Sequence, residues 1–481
     1  MLLYLKISSS LIWINILLAI LIIFFGRKNP KSTLMWVMVL TFLPGIGFIF
    51  YLLFGQDMRA RKMFELKEEQ DQFIKGISFI QWDYINSGRY HYSNVESKRY
   101  NDLIQMNLAL DESFYTEDND IKIYNSGEEK FEDLIKDIRN AKKRIDFQYY
   151  ILKPDNIGLK IIHELEKKLD EGVEVRILYD CLGGRYLRKK HFKTFKEKGG
   201  KVAVFFKSII PFFNIRINYR NHRKIVVIDN KIGYVGGFNI GDEYLGKDKK
   251  FGPWRDTHLR MVGTSVLGLK LRFMKDWHYA SKEPIGELKS FKIPINTNGK
   301  SGVQVLTSGP DTTNPNIKNV IFKMINDAKK EIFIQTPYFI PDDSVMEAIK
   351  TAILSGVEVN LMVPSFGDHP LVYWANLSYI GELLKLGANI YHYNNGFLHS
   401  KVVIVDDYIS TVGSANIDNR SFYLNFEVNA VIYDFDKNKE LKDQFYKDIE
   451  VSNKYTLEEY NNRTRMTKIK ESVSKLFSPI L

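Results

Sequence analysis

The chain opens with two long apolar segments. Residues 7–25 are rich in isoleucine and leucine, and residues 33–54 carry no charged side chain. A membrane-spanning helix needs about 20 apolar residues, and the polar break between the two segments is short. The pattern therefore predicts a transmembrane helical hairpin within residues 1–56, with a kink where Pro44 and Gly45 interrupt the second helix.

Positive charges flank this predicted hairpin. Cytoplasmic segments next to membrane helices carry an excess of lysine and arginine. Positive residues outside the hairpin favour cytoplasmic ends: Lys6, Arg59, Arg61, Lys62 and Lys67. Three positive charges in the hairpin loop oppose this orientation: Arg27, Lys28 and Lys31. We expect a multi-pass membrane protein, with the rest of the chain on the cytoplasmic side.

From residue 121 the pattern changes to amphipathic helices that alternate with short apolar strands, and it occurs twice. The parallel segments are 131–152 with 317–340, 171–180 with 355–364, and 199–205 with 387–393. Such alternation predicts two similar α/β lobes with mixed β-sheets flanked by helices. The expected division is a membrane hairpin (1–56), a juxtamembrane connector (57–112), a first lobe (113–295) and a second lobe (296–481).

Each lobe also carries the polar motif H-x-K-x4-D, followed at a fixed distance by G-x-x-N. The first copy has His222, Lys224, Asp229 and Asn239, and the second has His399, Lys401, Asp406 and Asn416. Two complete copies with identical offsets are not a chance match. Residues i and i+2 share one face of a strand, so each His and Lys should point the same way. The Asp should end that strand at a turn.

This repeated motif resembles that of the phospholipase D superfamily. The apolar N terminus, with its W-x-M-V-L and P-x-I-G segments, and the closing L-F-S-P-I-L resemble the bacterial cardiolipin synthases of that superfamily. The resemblance covers essentially the whole chain. It implies two phospholipase D-like lobes that build one active site, and a reaction through a phosphohistidine that needs neither metal nor cofactor. It also implies that His222 is the nucleophile and His399 the acid.

The residue types of the motif suit phosphodiester exchange. A neutral imidazole can attack phosphorus, and a protonated one can supply the leaving alkoxide with a proton. Lysine and asparagine side chains can stabilise the charge on the phosphoryl oxygens. The motif's candidate catalytic residues are His222, Lys224, Asp229, His399, Lys401 and Asp406, supported by Asn239 and Asn416. Within this set we interpret the two aspartates as structural, through turn capping and ion pairing. No cluster of carboxylates or Cys/His ligands suggests a metal.

Each histidine needs a partner on its second ring nitrogen to fix its tautomer. By the resemblance, Glu427 orients the histidine of the second lobe, and Asp256 occupies the matching position for the histidine of the first. The first copy has Gly237 where the second has Ser414, so a hydroxyl contact is expected on one side only. We interpret the nearby His258 as a core or surface residue.

Three further segments bear on lipid binding. By the resemblance, Tyr373, Trp374 and Tyr379 face the substrate pocket. The insertion at residues 207–221 is apolar and cationic, and it is either a lipid-entry lip or a buried loop. The tail, residues 463–481, predicts an amphipathic helix that either lies at the membrane interface or packs on the second lobe.

Composition narrows the function only partly. The net charge of +11 and the pI of about 9.1 suit anionic membranes or nucleic acid, and also plain solubility. Cys181 is the single cysteine, which excludes an internal disulfide. No P-loop is visible, in agreement with an exchange of one ester for another without a nucleotide.

The sequence thus predicts a membrane-bound phosphatidyltransferase. We expect it to act on phosphatidylglycerol among anionic membrane lipids, to release glycerol and to bind no nucleic acid. One alternative keeps the chemistry but uses water as acceptor, as a phospholipase or a membrane-tethered nuclease. A second alternative is a non-catalytic lipid-binding scaffold. The donor and acyl preference and the oligomeric state do not follow from the sequence.

Overall fold

A computed structural model describes residues 17, 19–20, 30–43, 45–54, 68–111, 113–207, 218–284, 298–312 and 314–480. The predicted first apolar helix, residues 7–25, lies almost wholly outside this part. The second apolar segment forms two helices, α1 (Pro30–Phe42) and α2 (Ile46–Phe54), which separate at Gly45 with a φ of 81°. The kink expected there is therefore a break, which glycine allows because it adopts positive φ without strain.

The two N-terminal helices pack on each other through aromatic side chains. The rings of Trp36 and Tyr51 meet edge to face, with centroids 5.4 Å apart. Outward-facing apolar side chains remain exposed on both helices: Leu34, Met38, Phe42, Ile46 and Phe50. Within the described ranges no helix combines the length and apolarity needed to span a membrane. The predicted span over residues 33–54 is divided into two helices, and its insertion in a membrane stays a prediction.

Two helices connect the N-terminal region to the lobes, α3 (Glu68–Asn86) and α4 (Asn101–Asp111). The inner face of α4 carries Leu103, Ile104 and Leu108, which are buried in the same core as the helices of the second lobe. Buried Asn107 on α4 donates a 2.8 Å hydrogen bond to Gln304 in the first strand of that lobe. The connector is therefore part of the folded body.

The first lobe alternates strands and helices as the sequence pattern predicts. Its strands are β1 (Thr116–Tyr124), β2 (Arg144–Tyr149), β3 (Glu174–Asp180), β4 (Lys201–Phe205), β5 (Arg220–Asn221), β6 (Ile225–Ile228), β7 (Ile232–Gly236), β8 (Trp254–Arg255) and β9 (His258–Val262). Its helices are α5 (Gly127–Asn140), α6 (Asn156–Asp170), α7 (Lys193–Glu197) and α8 (Val266–Ser281).

The second lobe repeats this order. Its strands are β10 (Ser301–Ser308), β11 (Glu331–Gln335), β12 (Phe339–Ile340), β13 (Glu358–Pro364), β14 (Asn389–Tyr393), β15 (Phe397–Leu398), β16 (Val402–Val405), β17 (Ile409–Gly413), β18 (Ile417–Asp418), β19 (Asn425–Tyr433) and β20 (Ser452–Tyr455). Its helices are α9 (Asn316–Asp327), α10 (Asp343–Leu354), α11 (Pro370–Leu384), α12 (Asn419–Tyr423), α13 (Phe435–Glu450), α14 (Leu457–Asn461) and α15 (Arg465–Leu476).

The two lobes share one continuous sheet. Its order is β20-β14-β13-β11-β16-β17-β19-β10-β1-β9-β7-β6-β2-β3-β4, so the two halves mirror each other about the antiparallel β10–β1 pair. Strands β2, β3 and β4 are parallel, as are β11, β13 and β14, and most of the remaining pairs are antiparallel. The predicted α/β fold, with mixed sheets in two similar lobes, is confirmed.

A shared apolar core lies between the lobes. It combines side chains such as Leu259 and Phe273 of the first lobe with Phe333, Val428 and Phe445 of the second. Each lobe has a further core beneath its own outer helices. Because burial of apolar area is the main favourable term in folding, this central core fixes how the lobes sit against each other.

Two short strand pairs cross from one lobe to the other. Strand β5, directly before His222, runs parallel to β19 with Asn221 opposite Phe426. Strand β15, directly before His399, runs parallel to β8 with Leu398 opposite Arg255. The segment that leads into each histidine is therefore held by the opposite lobe.

The tail helix α15 packs on α11 of the second lobe with its polar side inward. Glu471 and Ser474 are buried, and Lys475 forms an ion pair with Glu382 of α11. The apolar side chains predicted to share one face point outward instead: Met466, Ile469, Val473, Leu476 and Phe477. The tail thus packs on the lobe and leaves its apolar face exposed.

Candidate active site

The motif histidines lie where the crossed strands meet the central sheet. His222 and Lys224 occupy the extended link between β5 and β6, and His399 and Lys401 occupy the matching link between β15 and β16. The His–Lys pairs therefore sit just before the strands, where backbone amides are free to pair with the other lobe. His222 N donates to Phe426 O at 2.9 Å, and His399 N donates to Arg255 O at 2.7 Å.

The motif aspartates lie at the far ends of β6 and β16. Asp229 accepts hydrogen bonds from the backbone N–H groups of residues 142, 143 and 144, at 2.7, 2.7 and 2.9 Å. Asp406 accepts the matching three from residues 329, 330 and 331, at 2.9, 2.8 and 3.1 Å. Both have positive φ in the turn that ends the strand. These carboxylates hold the segment that follows the alanine of A-K-K, before β2 or β11, in agreement with their interpretation as structural residues.

Each histidine is paired with a carboxylate of the opposite lobe. His222 Nδ1 donates to Glu427 Oε2 at 3.0 Å, and His399 Nδ1 donates to Asp256 Oδ2 at 2.6 Å. The prediction that each acid orients the histidine of its own lobe is therefore wrong. The acids themselves, Glu427 and Asp256, are the expected ones, and both are fully buried.

The strand register explains this exchange. Because Asn221 lies opposite Phe426, the next residues along the two chains, His222 and Glu427, come side by side. In the same way Leu398 lies opposite Arg255, which brings His399 beside Asp256. Two residues of parallel pairing before each histidine are therefore enough to place it beside the acid of the opposite lobe.

The carboxylates fix the tautomer of both imidazoles. With Nδ1 carrying the proton for Glu427 or Asp256, the lone pair of the neutral ring is on Nε2. The two side chains remain slightly exposed, at 13% for His222 and 12% for His399. Each histidine therefore presents one basic nitrogen at the site.

The two lysines supply the positive charge. Lys224 Nζ donates to the carbonyl oxygen of His222 at 2.7 Å, and Lys401 donates to that of His399. Burial lowers the pKa of Lys224 to about 7 and that of Lys401 to about 8, against the opposing effect of Glu427 and Asp256. Each lysine also lowers the pKa of the histidine in the other lobe, which indicates that the two motifs face one another.

The surroundings of both imidazoles favour the neutral form. Burial first, and the charges of Lys224 and Lys401 in addition, lower the pKa of His222 below its ordinary value and that of His399 to about 4. The neighbouring histidine and lysine hold the carboxyl pKa values of Glu427 and Asp256 below their ordinary values despite burial. Because a bound phosphate anion would offset the lysine charges, it would raise both histidine pKa values.

The two acids are supported by different neighbours. Glu427 receives hydrogen bonds from the Ser414 hydroxyl and, at 3.2 Å, from Asn425 Nδ2. Asp256 receives one from Thr257 N at 2.7 Å, and a Cβ on Gly237 would come within 1.9 Å of its Oδ1 atom. The predicted one-sided hydroxyl contact is thus made to Glu427, and the matching glycine gives the shorter Asp256 its space.

The motif asparagines hydrogen-bond within their own lobes. Asn239 Oδ1 accepts from Ile151 N and its Nδ2 donates to Tyr244 Oη, both at 3.2 Å. Asn416 Nδ2 donates to Asp418 at 3.0 Å. Their predicted contact with a phosphate stays a prediction. In the described part of the chain no three His, Cys, Asp or Glu side chains are grouped to hold a metal ion.

Two buried arginines of the first lobe support the site and were not singled out from the sequence. Arg223 is ion-paired with Asp276 and donates to Glu427 O and Ser308 O, both at 3.0 Å. Arg255 is ion-paired with Asp448 and donates to Asp256 O at 2.7 Å. The sequence signal was their position, one residue after His222 and one before Asp256. Each arginine joins the two lobes immediately behind a catalytic carboxylate.

Aromatic rings line both histidines. The centroid of the Tyr150 ring lies 4.9 Å from that of His222, and Trp254 lies 5.1 Å from His399. Of the residues expected to face the substrate, Trp374 and Tyr379 instead contact tail lysines, whose Nζ atoms lie 4.9 and 4.8 Å from the ring centroids. The role of Tyr373, Trp374 and Tyr379 in substrate binding stays a prediction.

The structure describes some of the remaining candidates from the sequence. His258 is buried in β9, and neither of its ring nitrogens has a hydrogen-bond partner, so it is a core histidine as expected. Cys181 is a strand-end residue whose N–H donates to Phe205 O at 3.0 Å. The apolar part of the insertion, residues 209–213, lies outside the described residues.

Comparisons with known proteins agree with this geometry. The family model described as "Cardiolipin synthase, PLD-like domain" matches residues 134–250 and 321–449, and that described as "Phospholipase_D-nuclease N-terminal" matches residues 13–56. The fold is shared with the crystal structure of phosphatidylserine synthase from Haemophilus influenzae, at a TM-score of 0.59 and 17% identity over 75% of this chain and 95% of that one.

Curated relatives match nearly the full length. The chain is 49% identical over 469 residues to cardiolipin synthase 2 of Staphylococcus epidermidis, which covers 97% of this chain and 96% of the relative. It is 48% identical over 469 residues to the major cardiolipin synthase ClsA of Bacillus subtilis, covering 97% of each. The chain therefore belongs to the cardiolipin synthase family of phospholipase D-like proteins.

Proposed function

We propose that this protein is a cardiolipin synthase, which transfers the phosphatidyl group of one phosphatidylglycerol to the terminal hydroxyl of another and releases glycerol. The observation that carries the proposal is the exchanged pairing of His222 with Glu427 and of His399 with Asp256. It gives one site two oriented imidazoles and two lysines, the set of groups that phosphodiester exchange requires.

In the first half-reaction one imidazole attacks phosphorus through Nε2. We assign this role to His222, which keeps the assignment made from the family resemblance. A P–N bond forms, the bond from phosphorus to the glycerol oxygen breaks, and His399 gives that oxygen its proton. His399 must first acquire this proton, which a bound phosphate anion favours by offsetting the charges of Lys224 and Lys401.

The second half-reaction reverses these roles on a new alcohol. The terminal hydroxyl of the second phosphatidylglycerol attacks phosphorus, its proton goes to Nε2 of His399, and the P–N bond to His222 breaks. Lys224 and Lys401 stabilise the phosphoryl oxygens in both steps, where preformed positive charge has the largest effect on the barrier. Glu427 and Asp256 stabilise whichever imidazole carries the positive charge.

We propose that the protein acts at the membrane, with the catalytic lobes on the cytoplasmic side. The exposed apolar side chains of α1 and α2 support an N-terminal anchor, whose insertion as a multi-pass segment is part of this proposal. The tail supports a second contact. Leu476 and Met466 of α15 are 73% and 60% exposed, and lysine and arginine side chains flank this apolar face. Such a surface suits an anionic lipid bilayer.

The test is product identification with purified protein and phosphatidylglycerol vesicles. We expect cardiolipin and glycerol as the main products without added metal or nucleotide, and reversal when glycerol is added. Phosphatidic acid as the dominant product would identify a phospholipase. Cleavage of DNA without lipid turnover would identify a nuclease.

The membrane proposal is tested separately by removing residues 1–56. We expect the lobes to stay folded, since their cores lie beyond this segment, and activity on vesicles to fall. Detergent-solubilised substrate should partly restore it. An insoluble product would show that the N-terminal segment is integral to the fold.

A further inference from the structure

Two arginines lie beside the site and have no role in the mechanism above. Arg220 is in β5, two residues before His222, and Arg420 is in the first turn of α12. Arg420 donates from Nη1 to Asn218 Oδ1 at 2.9 Å and from Nη2 to Asn218 O at 2.6 Å. Arg220 Nη1 donates to Tyr219 O at 3.0 Å. These hydrogen bonds go to the consecutive residues Asn218 and Tyr219. They hold Arg220 of the first lobe next to Arg420 of the second.

The ring of Tyr150 separates these arginines from the motif. The ring contacts His222, and Lys224 Nζ lies 5.6 Å from the ring centroid. Arg220 hydrogen-bonds to the tyrosine side chain, and Arg420 is close enough to lower its pKa, although burial and Asp180 raise it overall. The paired cations are therefore about one aromatic ring away from the phosphate cradle formed by the lysines.

Two guanidinium groups held side by side repel each other, and a bound anion would offset this repulsion. Burial and the charge of Arg220 lower the pKa of Arg420 to about 10, against the opposing effect of the nearby Asp418 carboxylate. The charge of Arg220 acts on the buried carboxylate of Asp180, which accepts the N–H groups of Asn221 and Leu182, each at 2.8 Å. Within the described residues Arg220 forms no ion pair. Arginine binds phosphate through two parallel N–H donors, so such a pair matches a phosphodiester.

The two sequence positions that match this cationic pair in the other motif carry no cationic residue. The position of Arg420 in the first motif, counted from the histidine, is Glu243, which is ion-paired with Lys153. The position of Arg220 in the second motif is Phe397, whose ring packs 5.0 Å from Trp254. The site thus has a cationic side at His222 and an aromatic side at His399.

Cardiolipin has two phosphates joined by one glycerol, so a synthase must hold a second phosphate while the first is transferred. We propose that Arg220 and Arg420 bind the phosphate of the acceptor phosphatidylglycerol. This inference rests on the proposed function. The terminal hydroxyl of the bound acceptor then forms the new O–P bond, the P–N bond to His222 breaks, and the hydroxyl proton goes to His399. The arginines are positioning residues that select a phosphate-bearing alcohol over water.

The experiment compares Arg220→Gln, Arg420→Gln and Arg420→Lys with the unaltered full-length protein on phosphatidylglycerol vesicles. We expect the ratio of cardiolipin to phosphatidic acid to fall about tenfold or more in each glutamine variant, since a charged hydrogen bond to phosphate is lost. For Arg420→Lys this ratio should lie between those of the unaltered protein and Arg420→Gln, because lysine keeps the charge but not the paired donors. The control is Arg99→Gln, an exposed arginine whose guanidinium pairs with Glu96.

A second measurement uses soluble acceptors and does not depend on the variants being equally active. The unaltered protein should prefer glycerol phosphate to glycerol as acceptor, and the arginine variants should lose this preference. An unchanged product ratio in the glutamine variants, or equal use of both acceptors by the unaltered protein, overturns the inference. A parallel loss of both products in folded variants also overturns it. Absence of cardiolipin from the unaltered protein would instead contradict the proposed function.

Discussion

The two lobes carry the same motif at the same spacing but support it by different means. The first lobe supplies the short carboxylate of Asp256, and Gly237 leaves room for it. The second supplies the longer Glu427, with the Ser414 hydroxyl bound to it. The buried arginines behind both acids, Arg223 and Arg255, come from the first lobe alone.

This difference shows which features the chemistry constrains. Both imidazoles must present Nε2 and must have a carboxylate at Nδ1. The length of the carboxylate is not constrained, because one residue on the returning strand, glycine or serine, adjusts the space around it. The lobes can therefore diverge around a symmetric pair of histidines.

The largest expected effect tests whether the two lobes form one site. His222→Asn and His399→Asn should each lower turnover at least about 10³-fold, because one removes the nucleophile and the other the proton donor. Turnover of phosphatidylglycerol is the measurement, and His163→Asn on the surface of α6 is the control. Near-normal activity in either variant would mean that the lobes act independently. Trapped phosphate on His399 rather than His222 would reverse the assignment of roles.

A smaller effect tests the exchange of carboxylates. Glu427→Gln and Asp256→Asn should each lower turnover about 10- to 100-fold, as for other residues that orient a reactive histidine. The decisive measurement is the NMR signal of each Nδ1 proton. Glu427→Gln should shift the signal of His222 and leave that of His399, and Asp256→Asn should do the opposite. The reverse pattern would restore pairing within each lobe.

The support of the acids can be compared by exchanging the two small residues. Gly237→Ser should lower activity about tenfold, because its Cβ would displace the Asp256 carboxylate that holds His399. Ser414→Gly should lower it only a few-fold, because Glu427 loses one hydrogen bond and keeps its other partners. Activity and thermal midpoint are measured for both variants. Equal losses would show that the two acids are held in the same way.

A further effect is on the pH dependence. Lysine must be protonated to bind the phosphate anion, and the pKa values of Lys224 and Lys401 are lowered to about 7 and 8. If both lysines must be charged, the kcat/KM value should fall about tenfold as the pH rises from 7 to 8, and more than about a hundredfold by pH 9. The kcat value should persist to higher pH, because bound phosphate raises both lysine pKa values. A kcat/KM value that is constant up to pH 9 would contradict the lowered lysine pKa values.

The acidic side of the pH dependence of kcat/KM depends on the histidines, whereas its alkaline side depends on the lysines. The pKa of His222 is lowered from its ordinary value and that of His399 is lowered to about 4, so the neutral form of the nucleophile His222 persists to a lower pH than in an ordinary histidine. The decline of kcat/KM on the acidic side should therefore be centred below pH 6.5. A decline centred at 6.5 would indicate histidines with ordinary pKa values.

Local sequence determined the elements and the chemical groups. Apolar periodicity placed the repeated helices and strands, and the fixed offsets placed each turn at Asp229 and Asp406, because these features depend on neighbours along the chain. The candidate residues at the site, His222, His399 and their lysines, followed from residue type and spacing. The apolar N terminus was recognised as well, but its length did not show that Gly45 divides the second segment.

Only the tertiary structure decided which residues meet. His222 and Glu427 are 205 positions apart, and His399 and Asp256 are 143 apart, so no local pattern distinguishes these pairs from the within-lobe alternative. The choice depends on the β5–β19 and β8–β15 register, which the shared core between the lobes fixes. The same packing brings Arg220 of one lobe beside Arg420 of the other. Partner choice in this protein is therefore a property of lobe packing, whereas the list of reactive groups is a property of the sequence.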